Sequence, residues 1–230
     1  MVGTLFNTAT VAIGASLGLA AGKHLNDSMR TMAFQALGLF TLGIGIHMSL
    51  ESVSLFAIFL ALIVGAALGQ LLRLQDRVTS VTAQLGDGTG PALVQSLVLF
   101  CAGAMTLIGC MQDGLQGNPT VLFIKGSMDF VSSAFLAAAL GRGVLYAAPA
   151  LLVLQGALTW AFALWGAGWS ESLVADLTGF GGLLLLALGL DLLKIRSFPL
   201  LNFVPGFILI PLFQPVAEWV QSDLPHWFLS

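Results

Sequence analysis

Apolar runs of about twenty residues recur along almost the whole chain, and the charged residues fall between them far more often than within them. A helix of that length crosses about 30 Å of hydrocarbon. The rule divides the chain into eight candidate spans, at about 2–22, 31–50, 52–72, 93–111, 119–141, 143–166, 175–194 and 199–220. With 57% hydrophobic and only 8% charged residues, against about 25% charged in ordinary soluble domains, the chain cannot make a soluble globule. The pattern specifies an all-α, polytopic integral membrane bundle of seven to eight transmembrane helices, a single transmembrane domain over 1–230 with a polar cytoplasmic loop over 73–91. The first run has no basic residue ahead of it, unlike a secretory signal, so it is expected to be a retained span.

The connections carry the orientation. Lys23, Arg30, Arg73, Arg77, Arg142, Lys194 and Arg196 all fall on one side, whereas Glu51, Asp113, Glu171, Asp176, Glu218 and Asp223 fall on the other. By the positive-inside rule both termini lie outside. Trp160, Trp165, Trp169, Trp219 and Trp227 sit at or near the outer interface in the same frame, as an aromatic belt. Pro205, Pro211 and Pro215 interrupt the eighth run, which either spans or re-enters.

Several function classes are excluded by what the chain carries. A net charge of −3 without a basic stripe gives no nucleic-acid partner. Cys101 and Cys110 fall about 13 Å apart on opposite faces of one expected helix and cannot bridge, and with His24, His47 and His226 they form no metal-ligand spacing. No nucleotide-binding glycine fingerprint and no hydrolase or metalloprotease signature occurs, so neither an enzyme nor a cofactor is expected.

Glycines mark the packing faces. Gly14, Gly18 and Gly22 repeat every fourth residue in the first run, and Gly65 and Gly69 do so in the third, letting another helix backbone approach closely. Such faces permit dimerisation as readily as intramolecular packing, so a homo-oligomer is compatible with the sequence. The second run, Gly38 through Gly45 to His47, matches the seventh, Gly182 through Gly189 to Asp191, in the register of small residues and of the final polar one. Because those runs cross in opposite directions, the repeat they suggest is inverted and pairs spans one to three with six to eight.

The polar centre lies in the stretch from Met111 to Gly143. Pro119 is placed to open the fifth span with Asn118 as its N-cap, so the helix start faces Asp113 and the glycine turns at Gly114 and Gly117. Inside that span Lys125 and Asp129 stand one turn apart, on a face shared with Ser132 and Ser133. Ionisable side chains at membrane depth cost at least about 3 kcal/mol unless paired or hydrated. They are therefore either a packing ion pair or a pathway site. Asn7 needs partners as well; a helix-to-helix hydrogen bond and a solute contact both satisfy it, and Gln35, Gln155 and Asn202 are further polar groups within the spans.

Asp113-Gly-Leu-Gln-Gly-Asn118, Lys125-Gly-Ser-Met-Asp129, Leu140-Gly-Arg-Gly-Val144, Gln155-Gly156, the opening Gly3-Thr-Leu-Phe-Asn7 and the late Asn202-Phe-Val-Pro205 resemble the bacterial inner-membrane family classed as domain of unknown function 554. The resemblance covers essentially the whole chain. It implies a bacterial multi-span membrane protein of the inner (cytoplasmic) membrane, of a kind described as transport or membrane proteins without an established substrate. One departure is Gly126, where the family pattern leads one to expect a serine beside the lysine.

Together these features point to a secondary transporter or ion pathway for a small solute or ion. In that scheme Asp129 is the proton or cation site, Lys125 its counter-charge or anion contact, Asn118 and Asn7 neutral ligands, and Asp113 and Ser132 further pathway groups. The rivals are a passive channel and a non-transporting structural or assembly protein in which Lys125 and Asp129 only lock helices.

Overall fold

The structure, a computed structural model, describes residues 1–22, 26–83, 88–101, 104–165 and 170–223. Lys23, His24, Gly86, Asp87, Trp169, His226 and Trp227 lie outside the described residues, as do the side chains of Arg30, Trp165, Glu218 and Asp223. The described chain is all-helical: α1 (Val2–Gly22), α2 (Asp27–Ser49), α3 (Leu55–Leu71), α4 (Leu74–Ala83), α5 (Thr89–Cys101), α6 (Ala104–Leu115), α7 (Thr120–Leu140), α8 (Gly143–Trp165), α9 (Glu171–Leu192), a 3-10 turn (Leu200–Phe203) and α10 (Pro205–Asp223).

Five segments are by themselves long and apolar enough to cross a membrane: α1, α7, α8, α9 and Leu200–Ala217. Two bent pairs raise the number to seven if each counts as one span, α3 with α4 at 47° and α5 with α6 at 64°. The apolar part of α2, Phe34–Ser49, is shorter. The chain is thus a polytopic helical membrane protein, and most of its helices lie within a few residues of the expected spans.

Three local expectations are corrected. The run at 93–111 is two helices meeting at an angle, so Cys101 ends α5 while Cys110 belongs to α6. Residues 74–83 of the expected loop form α4, because Asn202 Oδ1 accepts the otherwise orphaned N–H of Gln75 at 3.0 Å and starts the helix from outside it. Finally α7 begins at Thr120, with Pro119 as the flanking residue. Asn118 still serves the helix start, its Oδ1 accepting from the Thr120 N–H at 3.1 Å. The α-helix α10 runs through Pro211 and Pro215.

Glycine decides which helices pair. The α1 glycines lie against α7 with residue numbers rising together, Gly14 at Phe130, Gly18 at Ala134 and Gly22 at Ala138, so the two helices are parallel and their backbones touch. In contrast α2 and α9 are antiparallel. A Cβ on Gly45 would lie 2.9 Å from the Gly182 carbonyl oxygen, and one on Gly189 would lie 3.1 Å from that of Gly38. Gly65 meets Gly206 and Gly69 meets Asn202, which makes α3 antiparallel to α10. These pairings gather the C-terminal ends of α1, α3, α7 and α9 at one end of the bundle, and Arg73, Arg142, Lys194 and Arg196 with them. Two of these, Arg73 and Lys194, adopt left-handed backbone just past α3 and α9, where a cation complements the negative end of the helix dipole.

Asp176, fully buried at the start of α9, ties three elements together. Its Oδ1 accepts from the Val53 and Ser54 N–H groups ahead of α3, at 2.9 and 2.8 Å, and its Oδ2 accepts from Gln214 of α10 at 2.7 Å. The largest apolar core surrounds Phe180, Leu184, Leu185 and Leu188 of α9, and a second one lies between α1, α5, α7 and α8 around Phe100, Leu136 and Leu151.

Candidate functional site

Within α7, the i and i+4 positions place Lys125 directly over Asp129, and the two side chains form an ion pair whose residues are only 5% and 8% exposed. At 1.5 Å per residue, they stand about 8 and 14 Å into a helix that is itself about as long as the hydrocarbon core is thick. The pair therefore sits between the first quarter and the middle of that helix, where an isolated charge is more costly than a matched one. The buried face runs on through Ser133 and Leu136, not Ser132.

The parallel packing of α1 on α7 carries Asn7 to nearly the same depth. Gly3 abuts Leu122, and Phe6 and Thr10 face Gly126, so Asn7 lies within about a turn of Lys125. Asn7 Nδ2 donates to Gln155 Oε1 of α8 at 2.9 Å, and both residues are almost completely buried. This one bond leaves Asn7 Oδ1 and Gln155 Nε2 without partners. Turning both amides over would exchange the roles and still leave one acceptor and one donor unsatisfied. An orphaned buried polar atom costs about 1–3 kcal/mol, so a pair of them at membrane depth is poor packing and a good place for a ligand. Thr4 and Thr159 share a hydrogen bond at 3.1 Å, and Cys110 donates to the Gln155 carbonyl at 3.8 Å.

The break between α5 and α6 borders the same region. Cys101 ends α5, and Thr106 of α6 donates back to the Phe100 carbonyl at 2.9 Å, occupying one carbonyl freed where the helix stops. A cavity of about 560 Å³ opens here between α5, α6, α8, α9 and α10. Cys101, Thr106 and Gln155 form its polar wall, and the rest of the lining is aliphatic or aromatic. Gly126, where a serine was expected, lets α1 pack closely: a Cβ there would lie only 2.9 Å from the Phe6 ring.

The other candidates are dispersed. Asp113 is buried at the end of α6, where it accepts from the Gly3 N–H at 3.2 Å and lies 2.7 Å from the Met1 amino nitrogen, clamping the start of α1. Asn118 is exposed on the loop before α7 and also accepts from the Thr120 hydroxyl at 2.7 Å. Ser132 is half-buried on the wall of a groove of about 810 Å³ between α2 and α7. Gln35 is exposed, and Asn202 works at the other end of the bundle, accepting from Gln75 and donating to Gln70. So the structure brings Asn7 together with Gln155 beside the Lys125–Asp129 pair and leaves Asp113, Asn118 and Ser132 apart from it. Gln155, Thr4 and Thr159 are the members that spacing alone could not place, although a glutamine in the middle of an apolar run is itself a signal. Among the described residues no group of three His, Cys, Asp or Glu side chains could hold a metal ion.

No solved structure matches the chain. Two curated relatives cover nearly its whole length. One is the "Uncharacterized protein YqgA" of Escherichia coli (strain K12), 32% identical over 95% of this chain and 99% of the relative. The other is the "Uncharacterized membrane protein YdfK" of Bacillus subtilis (strain 168), 28% identical over 92% of this chain and 94% of the relative. The family model described as "Protein of unknown function (DUF554)" matches residues 2–214, and the chain belongs to that family.

Proposed function

We propose that this protein is a non-enzymatic pathway for a small solute across the bacterial inner membrane, working as a secondary transporter with the Lys125–Asp129 pair at its centre. The observation that carries this reading is the pair's setting. It lies sealed at membrane depth beside a broken span and beside two amides with unsatisfied atoms, whereas a purely structural ion pair needs neither neighbour. Asp129 takes up a proton or cation, and Lys125 holds the carboxylate when that site is empty. Asn7 and Gln155 supply neutral hydrogen bonds. Both termini face outward and the basic end of the bundle faces the cytoplasm.

The architecture is proposed to contain an inverted repeat of α1–α3 with α8–α10. Supporting it, one constant shift in numbering carries Gly38 to Gly182, Leu42 to Leu186 and Gly45 to Gly189, and the close approaches exchange accordingly: Gly45 meets Gly182 and Leu186, while Gly189 meets Gly38 and Leu42. A repeat of this kind lets one half rock against the other around a site near the midplane.

The test is thermal unfolding of purified protein against inorganic ions, organic anions, amines and amino acids, run beside the double variant Lys125→Met/Asp129→Leu. Removing both charges avoids leaving one unpaired, so the double variant should fold. A solute that raises the melting temperature of the parent and not of the variant supports the pathway. If no solute acts on the parent, or the variant responds equally, the pair is structural.

A further inference from the structure

The cavity between α5, α6, α8, α9 and α10 stands apart from the pathway proposed above, since no residue of α1 or α7 lines it. Its volume of about 560 Å³ is that of an ordinary small-molecule site. The rim shows from where an occupant comes. Leu154, Val204 and Ile208 line the cavity and are 51%, 39% and 74% exposed, on two segments long and apolar enough to cross a membrane. The cavity therefore opens sideways onto hydrocarbon, at the level of Gln155 midway along α8. Among the described residues no Asp, Glu, Lys, Arg or His lines it, so a charged occupant would lie there unpaired in a low dielectric.

The wall is nevertheless not wholly apolar. Gln155 is 1% exposed; its Oε1 accepts from Asn7, and its Nε2 has no partner. Pro211, within α10, has no N–H to give the Phe207 carbonyl one turn before it, and both residues line the cavity. Thr106 spends its hydroxyl hydrogen on the Phe100 carbonyl and keeps only lone pairs to offer. The wall thus presents one orphaned donor together with acceptors that lack a hydrogen. A hydroxyl group answers both at once, accepting from Gln155 Nε2 while donating to the Phe207 carbonyl or to Thr106 Oγ1. With both amides turned over it would donate to Gln155 instead, so the match does not depend on their orientation. A plain hydrocarbon chain would leave the buried amide unsatisfied.

We infer that this cavity binds an uncharged, chiefly aliphatic alcohol dissolved in the bilayer, with its hydroxyl on Gln155 and its hydrocarbon among Leu107, Leu158 and Leu184. Entry is lateral, between α8 and α10, and does not pass the Lys125–Asp129 pair.

The experiment uses the full chain in lipid nanodiscs and an octanol carrying a photoreactive diazirine, with labelled residues mapped by mass spectrometry. Labelling is expected to saturate at cavity residues such as Leu154, Leu158 and Phe207, and to be displaced by excess 1-octanol but not by octane or octanoate. Val204→Trp, at the rim, should remove the saturable labelling; Leu158→Phe narrows the cavity from within should Val204→Trp fail to fold. Gln155→Leu keeps the bulk, removes the amide and should weaken competition by 1-octanol about tenfold, the loss of one hydrogen bond. If stranding Asn7 prevents that variant from folding, Asn7→Leu/Gln155→Leu replaces it. Octane competing as well as 1-octanol, or unchanged competition in the Gln155 variants, means that a lipid chain merely fills the space and overturns the alcohol assignment. Labelling that never saturates, or that falls equally on lipid-facing Leu39 and Phe59, overturns the site altogether. Absence of every solute response in the melting experiments above would remove the pathway and leave this site standing.

Discussion

The α1/α7 and α2/α9 interfaces use the same device for different ends. Both press helix backbones together through glycines spaced along one face. Between α2 and α9 the result is dry: Gly38, Gly45, Gly182 and Gly189 interlock with Leu42 and Leu186, and the adjoining core is leucine and phenylalanine. Beside α1 and α7 the close approach encloses a buried ion pair and an amide pair that leaves two atoms unsatisfied. Within the α2/α9 contact itself no such pair intervenes, although α9 also carries fully buried Asp176, and its Asp191 accepts from Gln95, whose Oε1 likewise lacks a partner. In the proposed function the polar residues of α1, α7 and α8 handle solute, and that is the contrast to test.

Substitutions can break or sharpen that contrast. The largest effect is expected from Gly18→Leu, whose Cβ would collide with the Ala134 carbonyl, a backbone atom that cannot swing aside. Overpacking against backbone should exceed about 3 kcal/mol and leave no monodisperse protein on size-exclusion chromatography. At Gly189 the obstructing atoms belong mainly to the flexible Leu42 side chain, so Gly189→Ala should be recovered folded with a lower melting temperature. Next comes Lys125→Met, which strands Asp129 and should cost about 3 kcal/mol in thermal or denaturant unfolding, while Lys125→Met/Asp129→Leu regains most of that. If the double variant is as unstable as the single one, the pair is needed for packing and the contrast between the interfaces disappears.

Asp176→Ala tests the dry side. It removes an acceptor serving Val53, Ser54 and Gln214, and should destabilise by about 2–3 kcal/mol without changing any solute response. Altered solute selectivity in that variant would extend the functional region to α9. The smallest effect belongs to Gly43→Ala. Nothing lies within 4 Å of the added Cβ, so the change should be neutral or stabilise α2 by about 0.5–1 kcal/mol through helix propensity.

Much of this was legible beforehand because bilayer thickness and helix rise are fixed quantities. The limits of α1, α7 and α8 follow from where apolar text stops, and Lys125 with Asp129 stand out because charge is rare there. Other features depend on partners distant in sequence. Asp176 looks like an ordinary acidic residue near a helix start, yet it caps α3 more than 100 positions away. Asn202 starts α4 in the same manner, which is why that stretch read as a loop. The bend between α5 and α6 has no proline to announce it.

The sequence by itself determined that the chain lives in a membrane as a bundle of helices, which end collects the basic residues, and that one helix carries an ion pair, whereas of the eight spans it suggests five are long enough alone and seven if each bent pair counts as one. Each follows from transfer free energies or helical periodicity, which act residue by residue. Tertiary structure alone decided that α1 lies beside α7, that Asn7 meets Gln155 with two atoms to spare, that Ser132 lines a groove between α2 and α7, and that a cavity opens between α5, α6, α8, α9 and α10 with Gln155 on its wall. The reason is that hydrocarbon is indifferent to which apolar face meets which. The choice among faces is made by the fit of small residues and the satisfaction of polar atoms between helices, and neither is encoded within any single span.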